Sequence, residues 1–289
     1  MTKKTAATEK SPLKQGEISI HTENIFPIIK KWLYSDHEIF LRELASNAFD
    51  ATTKLQKLAS LEDIDTIKEP NINIIIDEKN KTLTFSDTGL GMDAEEVEKY
   101  ITQIAFSGAE EFVQKLKEND SNNKNDIIGH FGLGFYSSFM VADLVEIKSK
   151  SYKKDSQAIL WSCTGSTEYT IDSAEKEDIG TDIILHINDD NKEYLNENKI
   201  KELVKKYTNF LPITIQVNGV TANEKNPLWI QSPKDVKDEE YKSFYQKLFP
   251  YNGDPLFWIH LNVDYPFNLQ GILYFPKVMH ELDSNKGQV

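Results

Sequence analysis

The glycines of this chain are concentrated in one region, since six of the 13 lie between residues 89 and 134. Five of these six form two clusters, "SDTGLGM" at 86–92 and "IGHFGLGFYSSF" at 128–139, and each cluster leads into a helical pattern. Glycine allows the backbone to approach a ligand closely, and the unpaired N–H groups at a helix start suit phosphate. A short glycine motif before a helix is nevertheless more often a tight turn. Each cluster alone is therefore only a weak indication of a phosphate site.

The helix predicted over residues 36–58 carries four polar residues at steps of four, three and four: Glu43, Asn47, Asp50 and Lys54. This spacing places their side chains within about 60° of one another on a single helical face. An ordinary amphipathic surface helix would explain the stripe if the helix stood alone. Two acids and an amide on one face, together with two glycine clusters, favour a binding site instead.

The remaining patterns predict strands and helices in two units. Strands are predicted at 71–77, 81–87, 144–152, 157–163, 167–171, 180–187, 213–217, 255–263 and 269–278, and helices at 93–117, 196–209 and 239–249. Residues 218–237 collect glycine, asparagine and proline, which is typical of a linker. We therefore expect a disordered tail at 1–15, a main domain at 16–217 and a truncated second α/β domain at 238–289.

Charge and composition argue against several functional classes. The net charge is −13, from 46 acidic and 33 basic residues, and such a surface repels phosphate backbones. The single cysteine, Cys163, permits no internal disulfide and fits a reducing cytoplasm. No run of about 18 apolar residues predicts a membrane-spanning helix. We expect a cytoplasmic protein that binds neither nucleic acid nor membrane.

Three segments resemble the nucleotide-binding motifs of the GHKL ATPase superfamily: "ELASNAFDA", "DTGLGM" and "GHFGLGFYSSFMVAD". The chain is most similar to the ninety-kilodalton heat-shock protein chaperones of the bacterial high-temperature protein G type. That similarity extends from "GEISIHTENIF" to "FPK" and includes "NPLWIQSPKDVKDEEYKSFY". It implies an α+β fold, a two-layer α/β sandwich of the GHKL (Bergerat) type with a largely antiparallel sheet of about eight strands. The start of a second α/β domain would follow.

The resemblance also implies a function, that of an ATP-dependent molecular chaperone. Such a protein binds ATP with Mg²⁺, hydrolyses it to ADP and phosphate, and closes a lid, here at about residues 95–130. Closure drives a dimeric clamp that acts on unfolded client proteins during folding and stress. The arginine that assists hydrolysis in this family lies further along its middle domain, so we expect very slow turnover from this chain alone. We also expect this chain to be monomeric and the full-length protein to be a homodimer.

Individual roles follow from the resemblance position by position. Glu43 would be the general base for the attacking water, Asn47 would bind Mg²⁺, and Asp50 would act through waters. Asp87 would accept a hydrogen bond from the adenine amino group, with Thr181 beside it through water. The remaining implied nucleotide contacts are Gly91, Met92, which would pack on the base, and the backbone of Gly132, Leu133, Gly134 and Phe135.

Three alternatives remain open at this point. A sensor histidine kinase would carry a phosphoacceptor hairpin before the motifs, and the preceding segment is too short for one. A topoisomerase ATPase subunit would act on DNA, and the acidic net charge of this chain argues against that. A nucleotide-binding module without hydrolysis is the third, because Tyr100 and Phe106 stand where the family commonly has asparagine and lysine. On the helical wheel Phe49 points away from the Glu43 stripe, so we expect it to pack rather than bind.

Overall fold

The computed structural model describes residues 36–60, 69–102, 133–263 and 269–277. The predicted tail, most of the predicted lid, Phe106 and Gly132 lie outside these residues. The helices are α1 (Ile39–Ala59), α2 (Ala94–Tyr100), α3 (Glu197–Thr208) and α4 (Asp238–Leu248). The strands are β1 (Asn71–Asp77), β2 (Thr82–Asp87), β3 (Ala142–Lys150), β4 (Ile159–Cys163), β5 (Tyr169–Ser173), β6 (Gly180–Ile187), β7 (Thr214–Val217), β8 (Val220–Thr221), β9 (Pro255–Val263) and β10 (Leu269–Pro276). Short 3-10 helices span Gly134–Met140, Asp189–Leu195 and Leu228–Ile230.

Eight of these strands form one sheet in the order β5-β4-β3-β6-β2-β1-β7-β8. All neighbours are antiparallel except β1 and β7, which run parallel. The mixed, largely antiparallel sheet of about eight strands that the resemblance implied is therefore confirmed. Strand β8 was not predicted, because two residues are too few to show an alternating pattern.

One face of the sheet is covered by helices and carries the core. Residues alternate along the strands, so that Ile72 and Ile74 of β1 and Leu83 and Phe85 of β2 are all buried on the same side. Helix α1 lies over this face because its apolar residues recur at helical spacing, and its Phe40 packs edge-on against Phe85. The core of the main domain therefore lies between the sheet and the helices.

Phe49 packs as the sequence predicted, and Trp161 also lies in the core. Trp161 is 3% exposed on β4, and its ring centroid lies 5.7 Å from that of Phe135. Phe49 is partly buried and packs against the main core. Among the described residues, no helix is long and apolar enough to cross a membrane.

The helix predicted after the second glycine cluster is a 3-10 helix, Gly134–Met140. The hydroxyl groups of Ser137 and Ser138 donate to the carbonyls of Gly134 and Phe135, at 2.6 and 2.7 Å. These side-chain bonds compete for the carbonyls that an α-helix would use. A run of seven residues is also shorter than most α-helices.

A second, smaller core lies in the C-terminal part of the chain. It is formed by Leu228, Val236, Tyr241 and Phe244. Strands β9 and β10 form an antiparallel hairpin beside α4, and the hydroxyl of Tyr274 donates to the Tyr241 carbonyl at 2.9 Å. Phe210, which follows α3, packs against this core with its ring 4.5 Å from that of Trp229. The helix and two strands predicted for this region are present.

Glu38, immediately before α1, ties that helix to α3. Its carboxylate accepts hydrogen bonds from Lys199 at 2.6 Å, Lys206 at 2.7 Å and Tyr207 at 3.1 Å. Burial favours the neutral acid, but these three bonds outweigh it and lower the pKa of Glu38 to about 2. We expect Glu38→Gln to lower the free energy of unfolding at pH 7 by about 1–2 kcal/mol, because two ammonium groups lose their carboxylate.

The pH dependence of this effect has a definite sign. The folded-state pKa of Glu38 lies below the ordinary value of 4.5, so the stabilisation is complete above about pH 4.5 and is lost as pH falls towards 2. Urea denaturation of wild type and Glu38→Gln at pH 7 and pH 3 measures this. The exposed Glu98 gives a matched control, Glu98→Gln, which should change little. An equal loss at both pH values would contradict the assignment.

Candidate functional site

Three polar side chains lie in a row on the helix-covered face of the sheet. Asp87 of β2 is directly opposite Thr181 of β6, and Thr181 is directly opposite Ser149 of β3. They are 7%, 5% and 0% exposed, respectively. The next row along the same face is apolar and contains Phe85 and Ile147. Since buried polar groups are costly unless they are satisfied, a polar row at the end of a core indicates a site.

The carboxylate of Asp87 is the acidic group of this row. Burial raises its pKa from 3.8 to about 7, and the negative charge of Asp182 adds to the rise. The backbone N–H groups of Gly89 and Thr181 and the positive charge of Lys176 oppose it. The Gly89 N–H donates to Oδ1 of Asp87 at 2.8 Å. One carboxylate oxygen is therefore occupied by the backbone.

Glycines bring the backbone of the first cluster against its neighbours. A Cβ placed on Gly89 would lie 2.6 Å from Cβ of Ala51 on α1, and one on Gly91 would lie 1.8 Å from the Lys150 carbonyl oxygen. Gly91 also has a φ of +61°, which side chains rarely adopt. The loop after β2 thus packs directly on both α1 and the end of β3.

Replacing Gly91 with alanine is expected to lower the free energy of unfolding by about 3 kcal/mol or more. The added Cβ meets a backbone carbonyl, which cannot rotate away, and the left-handed conformation adds strain. Gly219 provides the matched control, because its φ is +78° but a Cβ there has no neighbour within 4 Å. Gly219→Ala should therefore cost only about 1 kcal/mol. Urea denaturation of both variants checks this, and equal losses would show that the clash is relieved.

The polar stripe of α1 meets the second glycine cluster. A Cβ on Gly134 would lie 2.4 Å from Oε2 of Glu43, so this carboxylate contacts the start of the 3-10 helix. The other carboxylate oxygen, Oε1, accepts a hydrogen bond from Arg42 at 2.6 Å. Glu43 is thereby fixed beside the backbone that was predicted to contact phosphates.

The rest of the stripe is more buried than a surface helix would require. Asp50 is 5% exposed, and Asn47 is half-buried. Burial lowers the pKa of Lys54, and the negative charge of Asp50 opposes this shift. An ordinary amphipathic surface helix would leave such residues in water, so the surface-helix alternative does not describe α1.

Helix α1 connects two groups of predicted site residues. Its Ala51 carbonyl accepts a hydrogen bond from the Leu90 N–H at 3.3 Å, beside Asp87, while Glu43 lies beside Gly134. Residues 43 and 51 are about 12 Å apart along a helix axis. Of the other predicted contacts, Leu133 is half-buried, whereas the side chain of Phe135 is 7% exposed and belongs to the core. Only the backbone of Phe135 is therefore a candidate for ligand contact.

Met92 and Ser149 complete the first group. The side chain of Met92 is partly buried against the core, and its N–H donates to Oγ of Ser149 at 2.8 Å. Ser149 was not predicted from the sequence. The available signal was its position: it continues the buried alternation of Val145 and Ile147 on β3 as a polar residue.

Comparison with known protein families agrees with this arrangement. Residues 34–193 match the family described as histidine kinase-, DNA gyrase B- and HSP90-like ATPase. Residues 216–287 match the family described as Hsp90 protein. The second match covers α4 and the hairpin, which separates the Hsp90 proteins from the other members of the larger family.

Individual relatives carry names of the same kind. The chain is 53% identical to "Chaperone protein HtpG" of Bacteroides thetaiotaomicron over 96% of its own length and 42% of the relative. It is 49% identical to the protein of that name from Porphyromonas gingivalis strain W83, with the same coverage. It is 38% identical to "TNF receptor-associated protein 1 homolog, mitochondrial" of Dictyostelium discoideum, over 88% of its own length and 36% of the relative. The chain thus spans about two fifths of the length of these relatives, and it belongs to the histidine kinase-, DNA gyrase B- and HSP90-like ATPase family, within its Hsp90 branch.

Proposed function

We propose that this chain binds ATP with Mg²⁺ and serves as the nucleotide-binding part of an ATP-dependent molecular chaperone. The observation that carries the proposal is the pairing of two features along α1. A buried carboxylate, Asp87, lies beside the Ala51 turn of α1, and a second carboxylate, Glu43, contacts a glycine backbone about two turns away along the same helix. This arrangement suits a ligand with a base at one end and phosphates at the other.

Adenine would be bound by the polar row. Asp87 in its ionised form only accepts hydrogen bonds, and the adenine amino group is a donor. The carbonyl of guanine in the same position offers no donor to the carboxylate. Met92 would pack on the base. Gly91 has no side chain and would therefore let the backbone come close to the base.

The phosphates would lie beside Gly134, where N–H groups at a helix start favour anions. Asn47 would provide an oxygen ligand for magnesium, with Asp50 acting through waters. This donor set fits Mg²⁺, which usually takes one or two protein oxygens together with substrate phosphates. Among the described residues, no group of three or more His, Cys, Asp or Glu side chains could hold a metal ion alone. The ion would neutralise charge that develops on the phosphates during hydrolysis.

Glu43 would act as the general base on the attacking water. Its carboxylate is held by Arg42 on one oxygen and faces Gly134 with the other. The second oxygen is therefore the one that would accept the proton from water. Hydrolysis to ADP and phosphate would be very slow in this chain alone, because stabilisation of the phosphate charge by a further arginine is often a large contribution.

Wider aspects of the function rest on the relatives and the resemblance. Two of the relatives above carry the name chaperone, which supports action on unfolded client proteins. We also propose a homodimeric longer protein, a lid at about 95–130, and a linker at 218–237 between the two domains. A cytoplasmic location fits the single cysteine.

Isothermal titration calorimetry with ATP, ADP and GTP, each with and without Mg²⁺, tests the proposal. We expect ATP and ADP to bind to this chain and GTP to bind at least tenfold more weakly, because Asp87 cannot pair with the guanine carbonyl. Mg²⁺ should strengthen the binding of ATP more than that of ADP. Failure of both adenine nucleotides to bind would refute the proposed function.

A further inference from the structure

Ser149 is a completely buried hydroxyl that joins three segments of the candidate site. Its Oγ accepts a hydrogen bond from the Met92 N–H at 2.8 Å and lies 3.0 Å from Oγ1 of Thr181. The carbonyl oxygen of Gly180 is 3.3 Å away. The same atom thus contacts the loop after β2 and two positions on β6.

Counting protons leaves two arrangements of these hydrogen bonds. The Met92 N–H can only donate, so the Ser149 oxygen accepts there. Serine has a single hydroxyl proton, which can go to the Gly180 carbonyl, an acceptor only, or to Oγ1 of Thr181, which is closer. Donation to Gly180 lets Thr181 donate to Ser149, whereas donation to Thr181 leaves the proton of Thr181 for the pocket.

We propose that Ser149 gives its proton to the nearer Thr181 oxygen rather than to the Gly180 carbonyl. Ser149 is then a positioning residue that fixes the Thr181 hydroxyl as a hydrogen-bond donor and so sets the base specificity of the pocket. This inference rests on the proposed function, since it requires a purine beside Asp87. The chain of donors would run from the Met92 N–H through Ser149 to Thr181. Ser149 itself would not touch the nucleotide.

In this arrangement a hydrogen-bond donor, Thr181, lies beside an acceptor, Asp87, at the end of the helix-covered face of the sheet. Adenine presents the complementary pair, because its amino group donates and its ring nitrogen N1 accepts. Guanine presents the reverse pair, a carbonyl oxygen and an N–H group. Asp87 would read the amino group, and Thr181 would donate to N1, directly or through one water. The site would thereby discriminate at two atoms rather than one.

The test compares ATP with 1-deaza-ATP, in which N1 is replaced by a carbon. Calorimetric titrations are made with wild type, Ser149→Ala, Thr181→Val and the double variant. We expect wild type to bind ATP about tenfold more tightly than 1-deaza-ATP, the usual effect of one hydrogen bond. In both single variants the ratio should fall below about threefold. The double variant should be no worse than Thr181→Val, because both changes remove the same interaction.

Two controls separate positioning from a general structural role. Ser149→Thr keeps the hydroxyl and should restore the tenfold ratio, whereas Ser162→Ala, half-buried on β4, should leave it unchanged. Purine riboside triphosphate lacks the amino group that Asp87 would read. Its loss of affinity relative to ATP should be equal in wild type and Ser149→Ala. A loss that grows in the variant would show that Ser149 supports the whole pocket rather than Thr181.

The outcomes also distinguish this inference from the proposed function. Binding of ATP by wild type with an unchanged tenfold ratio in Ser149→Ala would overturn the role of Ser149 alone. Equal binding of ATP and 1-deaza-ATP by wild type would do the same. If Ser149→Ala does not fold, the ratios in Thr181→Val and Ser149→Thr decide. Absence of ATP binding by wild type would overturn both the inference and the proposed function.

Discussion

Replacing Asp87 with asparagine is expected to weaken ATP binding by about 100-fold or more. Oδ1 of Asp87 already accepts the Gly89 N–H at 2.8 Å. The amide oxygen of asparagine must keep that bond, so its NH₂ group points to the place of the adenine amino group. Two donors would then face each other in a buried site. A charge-assisted hydrogen bond is lost and two buried donors are left unpaired, which together cost about 3 kcal/mol.

Calorimetry with ATP measures this effect, and the exposed Asp172 provides a matched control. Asp172→Asn makes the same chemical change on β5 and should leave binding unaltered. Retention of wild-type affinity by Asp87→Asn would mean that the adenine is not read by this carboxylate.

A stability measurement separates this loss of affinity from loss of folding, because Asp87→Asn is not expected to lower the free energy of unfolding at pH 8. The folded-state pKa of Asp87 is raised from 3.8 to about 7. The resulting stabilisation of the protonated folded form is complete below about pH 4 and is lost as pH rises to about 7. Asparagine does not titrate, so Asp87→Asn should match or exceed wild type in urea at pH 8. At pH 8 a less stable variant would contradict this account of the carboxyl group.

Replacing Glu43 with glutamine is expected to reduce ATP hydrolysis by about 100- to 10,000-fold while leaving ATP binding nearly unchanged. Glutamine has the same shape but cannot take a proton from water, and general-base catalysis is usually worth that much. Glu43 lies beside Gly134 and is held by Arg42, so the role that we propose for it concerns the phosphates and not the base. The two carboxylates of the site are thus expected to separate, Asp87 in binding and Glu43 in turnover.

Two assays measure this effect. One is a single-turnover assay on this chain, and the other is a steady-state assay on the longer protein to which we propose that it belongs. Glu239→Gln on α4 is a suitable control, since Glu239 is exposed and far along the chain from the stripe. A variant that binds and hydrolyses ATP at the wild-type rate would remove Glu43 from the mechanism. Parallel losses of binding and hydrolysis would assign it to ligand contact instead.

Local pattern was sufficient for most of the fold. Strands such as β1 and β6 were predicted at their observed bounds. Their apolar residues alternate, and only a strand with one buried face accounts for such alternation. The segment Gly134–Met140 was predicted only as a helix, because the apolar spacing of seven residues does not separate a 3-10 helix from an α-helix.

The candidate site was less accessible to sequence reasoning. The stripe from Glu43 to Lys54 and the glycine clusters could be found directly, whereas Thr181 was identified only through the resemblance. Ser149 was not identified at all, because a serine on a strand is unremarkable until the strand across from it is known. Contacts such as that between Glu38 and Lys199, 161 residues apart, depend on the tertiary fold alone. The pairing register of strands that are far apart in the chain cannot be predicted from local sequence patterns.

The parallel pairing of β1 with β7 has a consequence for how the chain folds during synthesis. Asn71 of β1 pairs with Thr214 of β7, so a ribosome must add more than a hundred residues after β1 before its second edge can be closed. Until then Ile72 and Ile74 lie on a strand with open backbone groups, the kind of edge that recruits other strands. Long-range pairing of this kind also slows folding. The open edge of β1 is therefore available for aggregation from the synthesis of β2 until the synthesis of β7. Pairing with β7 then closes this edge.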